Sequence, residues 1–283
     1  MAETSQISLS ICIVNYDSTL ADLCEVIASL QESISRVRDT IPQAEIALYL
    51  VDNSDKPNRE QNLYSELQKK IVDLNLSVHL VQGHGNIGFG AGHNLVISRL
   101  ISTYHLILNP DVILDENCLT TGIKYLEDHP QTAIVSPFAT GADGHKQYLC
   151  KTYPALLTFL VRGFVPGIFK PLFAGRLTRY EMRHLSELEP TTGIPIVSGC
   201  FMLCRTELLQ QVKGFDNNYF LYFEDFDLSL RLGKIADIAY VPLMRITHSG
   251  GHATGKGFRH LLMFLKSAIY FFNSHGWRVF KQQ

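Results

Sequence analysis

A chain of 283 residues has room for one or two domains with a full hydrophobic core. Its 25 Lys and Arg against 27 Asp and Glu leave a formal charge of -2, which argues against a general nucleic-acid binder, and 46% apolar with 18% charged residues excludes a disordered chain. The opening MAETSQ is polar and no basic stretch precedes the strand-length apolar run Ile7 to Val14, so no secretory signal is expected, and no run reaches the ~20 apolar residues of a membrane span. Cys12, Cys24, Cys118, Cys150, Cys200 and Cys204 are scattered and read as reduced core thiols, which places the chain in the cytoplasm.

In chain order, a strand from Ser8 to Val14 leads to a helix from about Thr19 to Arg38, then a strand from Glu45 to Val51 ending at Asp52-Asn53. A polar amphipathic helix over about Arg59 to Leu74 and a strand from Ser77 to Val81 follow. The segment GHGNIGFGAGHN opens a helix to about Ile101, and a strand from Tyr104 to Leu108 stops at Asn109-Pro110-Asp111. Strands with helical crossovers predict an α/β fold with a mostly parallel, doubly wound sheet and helices on both faces. Ligands of such sheets bind beyond the carboxyl ends of the strands, where Asn15-Tyr16-Asp17, Asp52-Asn53 and Asn109-Pro110-Asp111 would converge. The second half is less regular. It has a Pro/Gly-punctuated stretch from Pro154 to Gly175, a strand over Ile196 to Arg205, the acidic-aromatic GFDNNYFLYFEDFDLSLRL and a strand over Ala239 to Val241, and is expected to cap the sheet.

Asp111 at the rim of the sheet can hold a hard divalent cation that bridges a diphosphate, although Asn-Pro-Asp also makes ordinary turns. Gly83, Gly85 and Gly88 form a literal G-x-G-x-x-G, but two strand-helix pairs precede it, which argues against a dinucleotide fingerprint. Gly90 and Gly92 let the next helix approach a ligand or a strand, and His93 and Asn94 either face the cleft or cap that helix. Glu224, Asp225 and Asp227 lie among aromatic residues that exclude water and can raise a carboxylate toward general-base range; Asp225 would open a helix on which Asp227 and Arg231 pair. His248, in a glycine-rich loop, could join Asp111 on a metal. A zinc reading of Cys200, Cys204, His248 and His252 is opposed by strand geometry, which sets the two cysteines ~13 Å apart.

Taken together and in order, VNY, VDNS, NIGFGAGHN, LNPD, VSGCFMLCR, GFD and FEDFDLSLRL make residues 7 to 250 resemble the family 2 glycosyltransferases of GT-A fold, and within them bacterial rhamnosyltransferases of O-antigen and cell-surface polysaccharide synthesis. The resemblance implies a catalytic domain over 1–250, with a nucleotide-sugar half to about 112 and an acceptor half beyond it, and a C-terminal amphipathic helical segment over 251–283. It implies donor contacts at Asn15, Tyr16, Asp17, Asp52 (to the N3–H of a uracil or thymine), Asn53, Gly88, Phe89, Gly92, Asn94 and Asn109. LNPD stands where the family has D-x-D, with Asn109 in place of the first aspartate. Asp111 and His248 would bind Mg²⁺ or Mn²⁺, and Glu224 and Asp225 match the catalytic E-D motif with Asp225 as base. The activity implied is inverting transfer of L-rhamnose from dTDP-β-L-rhamnose to a glycan or polyprenyl-diphosphate-linked glycan. Alternatives are a UDP-sugar hexosyl or galactofuranosyl transferase, an NAD-dependent oxidoreductase and a non-catalytic nucleotide- or glycan-binding protein. The basic, apolar stretches ALLTFLVRGFVPGIFKPLFAGRLTR and FRHLLMFLKSAIYFFNSHGWRVFKQQ suit peripheral contact with the inner membrane, or else pack on the core or in a homodimer.

Overall fold

The computed structural model describes residues 7–54, 67, 76–164, 172–250 and 257–279. β1 (Ser8–Asn15) is buried along almost its whole length, as a central parallel strand covered on both faces must be. α1 (Leu20–Thr40) starts at a capping box: Thr19 Oγ1 accepts from Asp22 N (3.2 Å) and Asp22 Oδ2 accepts from Thr19 N (2.9 Å). Its apolar face (Leu23, Val26, Ile27, Leu30, Ile34, Val37) recurs at helical spacing and is buried. β2 (Glu45–Asp52) and β3 (Ser77–Val81) follow, then α2 (Phe89–Ile97), β4 (Tyr104–Leu108), β5 (Val112–Leu114), α3 (Cys118–Asp128) and β6 (Thr132–Thr140). The helix expected over 59–74 lies outside the described residues apart from the buried Leu67. α2 stops at Ile97, short of Ile101, because Gln210 Nε2 donates to the carbonyls of Ile97 and Leu100 (2.9 Å each) and so satisfies the helix end.

The second half does more than cap the sheet. After the short β7 (Lys146–Gln147) and β8 (Cys150–Lys151) come α4 (Leu156–Phe164), α5 (Ala174–Tyr180), β9 (Thr191–Thr192), β10 (Ile196–Val197), β11 (Phe201–Arg205), α6 (Thr206–Gln211), α7 (Glu224–Leu232), β12 (Asp237–His248) and α8 (Phe258–His275). The main sheet runs β3-β2-β1-β4-β11-β6-β12-β5, so strands from both halves share it. The strand expected over Ile196–Arg205 is broken at Ser198-Gly199-Cys200: β10 pairs with β8 in a separate two-stranded sheet, and β11 enters the main sheet antiparallel to β4 and β6. The strand expected over Ala239–Val241 is the middle of the 12-residue β12, with a register shift between Val241 and Arg245.

β1, β2 and β4 are mutually parallel, β11 reverses, and β6 and β12 run parallel again. The carboxyl ends of β1, β2, β4 and β12 and the start of β11 therefore lie on one edge. One face of the sheet is covered by α1 and α3 and the other by α2, α6 and α7. Each fully buried Leu or Ile in these layers contributes about 1.5–3 kcal/mol of apolar transfer free energy.

Candidate active site

At the end of β1, Asn15 is buried and accepts from Ser18 N (3.2 Å), while Tyr16 and Asp17 are exposed, Asp17 with φ 63°. Next to it Asp52 is buried at the end of β2 and accepts from Ser54 N (2.9 Å). Asn53 binds the glycine segment: its Nδ2 donates to Gly88 O (2.8 Å), and its Oδ1 accepts from His84 Nε2 (2.9 Å). Gly88 has φ 95°, and a Cβ there would strike the Phe220 carbonyl oxygen that accepts from Phe89 N (3.1 Å). This loop thus docks on the acidic-aromatic segment. A Cβ on Gly92 would lie 2.9 Å from Val14 and 3.2 Å from Asn53 Nδ2, so the bare backbone brings the start of α2 against the ends of β1 and β2.

Neither His93 nor Asn94 caps the helix, whose first residue is Phe89. His93 is fully buried, its ring 4.7 Å from that of Phe89 and 5.8 Å from Phe215, and burial holds its pKa well below the ordinary value. Asn94 Oδ1 accepts from Phe215 N (2.9 Å), and its Nδ2 donates to Phe215 O and Asn217 Oδ1 (2.7 Å each), tying α2 to the turn at Phe215.

Asn109 and Asp111 follow β4, and Asn109 N donates to Cys200 O (2.9 Å) at the start of β11. His248 is the last residue of β12, paired with Val112, and not part of a loop as its glycine-rich surroundings suggest. Its Nε2 lies 3.6 Å from Asp111 Oδ1, a buried oxygen that has no hydrogen bond. On the other side of the ring, Nδ1 donates to Gln147 Oε1 (2.8 Å) while Gln147 Nε2 donates to the His248 carbonyl (2.9 Å), which fixes the tautomer with its lone pair toward Asp111. Burial holds the His248 pKa below its ordinary value, against the opposing pull of Asp111, so the ring is neutral. Gly250 closes the space: a Cβ there would come within 2.6 Å of His248 Nε2 and collide with Asp111 Oδ2. A carboxylate with an unpartnered buried oxygen, an oriented imidazole and a cradle that only glycine leaves open fit a partial ligand set for Mg²⁺ or Mn²⁺. Among the described residues no set of three His, Cys, Asp or Glu side chains converges on one point.

α7 begins at Glu224, so Asp225 is its second residue and not its first. Asp225 Oδ2 accepts from Gly199 N (2.9 Å) and Oδ1 from Phe226 N (2.9 Å). Burial raises its pKa against those two donors. Glu224, 5% exposed with Oε2 lacking a hydrogen bond, is pushed up to about 8 by burial and then by the charge of Asp225. Gly199 N donates to Asp225 while the carbonyl of the next residue, Cys200, accepts from Asn109 N (2.9 Å), so one turn joins the carboxylate pair to the strand end that carries Asp111; burial pushes the Cys200 thiol up to about 12. Cys204 packs in the opposite core layer from Cys200, whereas an unbroken strand would have set both on one face about 13 Å apart. All six cysteines are free, and His252 lies outside the described residues.

Two consecutive residues before the pair, Tyr222 (φ 71°) and Phe223 (φ 69°), are left-handed, which for non-glycine residues costs about 1–3 kcal/mol each. Phe223 is held there by ring contacts to Phe159, Phe226, Phe264 and Phe271 at 5.2–5.4 Å, each of the kind worth about 0.5–1.5 kcal/mol beyond area burial. Asp227 accepts from Arg231 Nε (2.7 Å), the expected pair, and also from His275 Nε2 (2.8 Å), which links α8 to α7. Arg231 donates onward to the carbonyls of Val212 and Gly214 (2.7 Å each). The sequence assigns no role to Gln147, Gly199 or His275, and it shows Gly250 only as a neighbour of His248. Ser198-Gly199 is a turn signal that could have marked the break before β11, whereas nothing local distinguishes Gln147 or His275.

Comparison with known proteins agrees with this architecture. The chain is 28% identical over 221 residues to N-acetylglucosaminyl-diphospho-decaprenol L-rhamnosyltransferase of Mycobacterium tuberculosis (72% of this chain, 70% of the relative). It is 30% identical over 200 residues to the rhamnosyltransferase WbbL of Escherichia coli K12 (68% and 71%). The solved structure of mannosyltransferase PcManGT from Pyrobaculum calidifontis, in complex with GDP-Man and Mn²⁺, superimposes with TM-score 0.59 at 15% identity, covering 94% of this chain and 65% of that one. The sequence profile of glycosyl transferase family 2 matches residues 10–213, and the chain belongs to that family as a glycosyltransferase of GT-A fold.

Proposed function

We propose that the enzyme transfers L-rhamnose from dTDP-β-L-rhamnose to a lipid-linked glycan with inversion, at the cytoplasmic face of the membrane where such an acceptor sits. The observation that carries the mechanism is the carboxylate of Asp225, held by two backbone N–H groups at the mouth of the edge that also bears Asp111 and His248. The rhamnosyl donor is supported by the names of both curated relatives, one of which also names an N-acetylglucosaminyl-diphospho-lipid acceptor.

In this reading the ends of β1 and β2 and the loop from Gly88 receive the nucleotide, with Asp52 toward the base and Tyr16 and Asp17 exposed beside it. Asp225 removes the proton of an acceptor hydroxyl as that oxygen bonds to the anomeric carbon. The bond from that carbon to the diphosphate oxygen breaks with its electron pair leaving on dTDP, and the β-donor becomes an α-L-rhamnoside. Fixed carboxylate oxygens and exclusion of water by the Phe223 cluster suit Asp225 to general-base catalysis. Glu224, protonated near neutrality, is left as a neutral donor beside it. Asp111 and His248 would hold Mg²⁺ or Mn²⁺, which offsets charge on the departing diphosphate when bound.

The same fold takes other donors, as the GDP-Man complex shows for PcManGT, so the nucleotide decides between rhamnose and another sugar. Thermal-shift binding of dTDP, UDP, GDP and NAD, each with and without Mn²⁺, tests this through stabilisation of the folded state. A Mn²⁺-dependent shift larger for dTDP than for UDP supports the rhamnosyl donor. The reverse order assigns a UDP-sugar, and a response to NAD alone overturns the reading.

A further inference from the structure

The 27 acidic residues are unevenly spread: residues 144–180 and 238–283 contain none of them, yet hold 12 of the 25 Lys and Arg. The described parts of these two stretches pack together. Phe159 of α4 meets Phe264 and Phe272 of α8 at 5.6 and 6.3 Å, Leu156 N donates to Arg278 O (2.9 Å), and Tyr153 Oη donates to Gly276 O (2.6 Å). One side of α8 is consumed by that packing through Ala268, Phe271 and Phe272. The outer side is also apolar: Phe258, Leu261, Leu262, Leu265 and Ile269 recur at three- and four-residue spacing and are 38–73% exposed. Arg259 and Lys266, seven residues apart and exposed, flank that stripe on one side.

We propose that the outer face of α8 is a docking surface for an anionic lipid bilayer, the helix lying in the interface with its stripe in the acyl boundary and Arg259 and Lys266 at the headgroups. Charge complementarity selects this occupant. A second copy of the chain would set Arg259 and Lys266 against the same two cations, and a soluble acidic partner gives no reason for five exposed apolar side chains in one stripe. No helix among the described residues is long and apolar enough to cross a membrane, so α8 lies on the surface and does not span it. The inner side of α8 touches Phe223, and its last residue, His275, binds Asp227, so the docked face is one helix away from Glu224 and Asp225. Only the orientation of the acceptor rests on the function proposed above.

The test is flotation of the full-length protein with phosphatidylcholine vesicles with and without phosphatidylglycerol. Wild type should float with the anionic vesicles alone, and Arg259→Glu/Lys266→Glu or Leu262→Gln/Leu265→Gln should lower the bound fraction at least ~10-fold. Melting temperatures close to wild type establish that the variants fold. Equal flotation of variants and wild type, or wild type that stays with the soluble fraction, overturns the proposal. A wild-type dimer that the apolar variants convert to monomer also overturns it, assigning the face to a second copy. Flotation needs no turnover, and transfer to a water-soluble acceptor should be unchanged in these variants; a failure of that assay in wild type would count against the transferase reading and leave the docking result standing.

Discussion

Asn53, just past the end of β2 on the proposed donor side, holds the Gly88 loop by short polar bonds, whereas Glu224 and Asp225 follow two left-handed aromatic residues pinned by rings from α4 and α8. The first arrangement is built from strand ends that a parallel sheet aligns automatically. The second depends on side chains some 50 residues apart in each direction meeting around Phe223. The strand ends proposed to bind the donor should therefore keep their geometry through changes to α4 and α8, and the carboxylate pair should not.

The largest effect expected is at the carboxylate itself. Asp225→Asn should leave dTDP binding near wild type and lower turnover at least ~10²-fold, since an amide keeps the bonds from Gly199 and Phe226 in part but accepts no proton. Product formation measured beside a dTDP thermal shift checks this; retained turnover removes Asp225 from its role. Next, Phe271→Ala should cost about 3–5 kcal/mol of stability, because the ring is fully buried against Phe223, Phe226 and Phe272. In whatever fraction stays folded, turnover should fall more than donor affinity. An equal loss of both would erase the contrast between the two sides.

A smaller, more local effect is expected behind the proposed metal ligands. Gln147→Ala frees the His248 ring and should raise the Mn²⁺ needed for half-maximal activity about 10–100-fold, with His248→Ala at least as severe. An unchanged metal titration in both makes His248 structural. The smallest effect belongs to the core beneath α2. Burial lowers the folded-state pKa of His93, so as pH falls below its unfolded value of about 6.5 the unfolded chain takes up a proton that the folded chain refuses, and stability is lost. Glu224 and Asp225, raised by burial, run the opposite way, so the readout is the stability difference between wild type and His93→Leu. That difference should shift in favour of the variant by about 1.4 kcal/mol per pH unit below 6.5, and urea midpoints at pH 7.5 and 5.5 measure it. A constant difference contradicts a neutral, buried His93.

Most of the proposed donor side was legible in the sequence as structure, because its strands are periodic. Strands buried on both faces read as apolar runs, Thr19 and Asp22 mark a helix start, and polar residues after Val14, Val51 and Leu108 mark the carboxyl edge of the sheet, where the donor is proposed to bind. Asp111 and His248 were paired in the sequence reading, but the strand that brings them together was read only over Ala239 to Val241, whereas β12 runs from Asp237 through a register shift to end beside Val112. The break at Ser198-Gly199-Cys200 escaped because every residue from Ile196 to Arg205 except Ser198 and Gly199 suits a strand, and only the competing pairing of β10 with β8 divides it. The reach of Asn94 to Phe215 and of His275 to Asp227 spans 121 and 48 residues, and no local pattern encodes such distances.

The most direct test of the account is the product itself. Wild-type enzyme supplied with dTDP-β-L-rhamnose, Mn²⁺ and a polyprenyl-diphosphate N-acetylglucosamine acceptor should form a disaccharide whose rhamnose is α-linked by NMR, with Asp225→Asn forming at most about 1% as much in the same time. A β-linked product, or transfer from a UDP-sugar with none from dTDP-β-L-rhamnose, would contradict it.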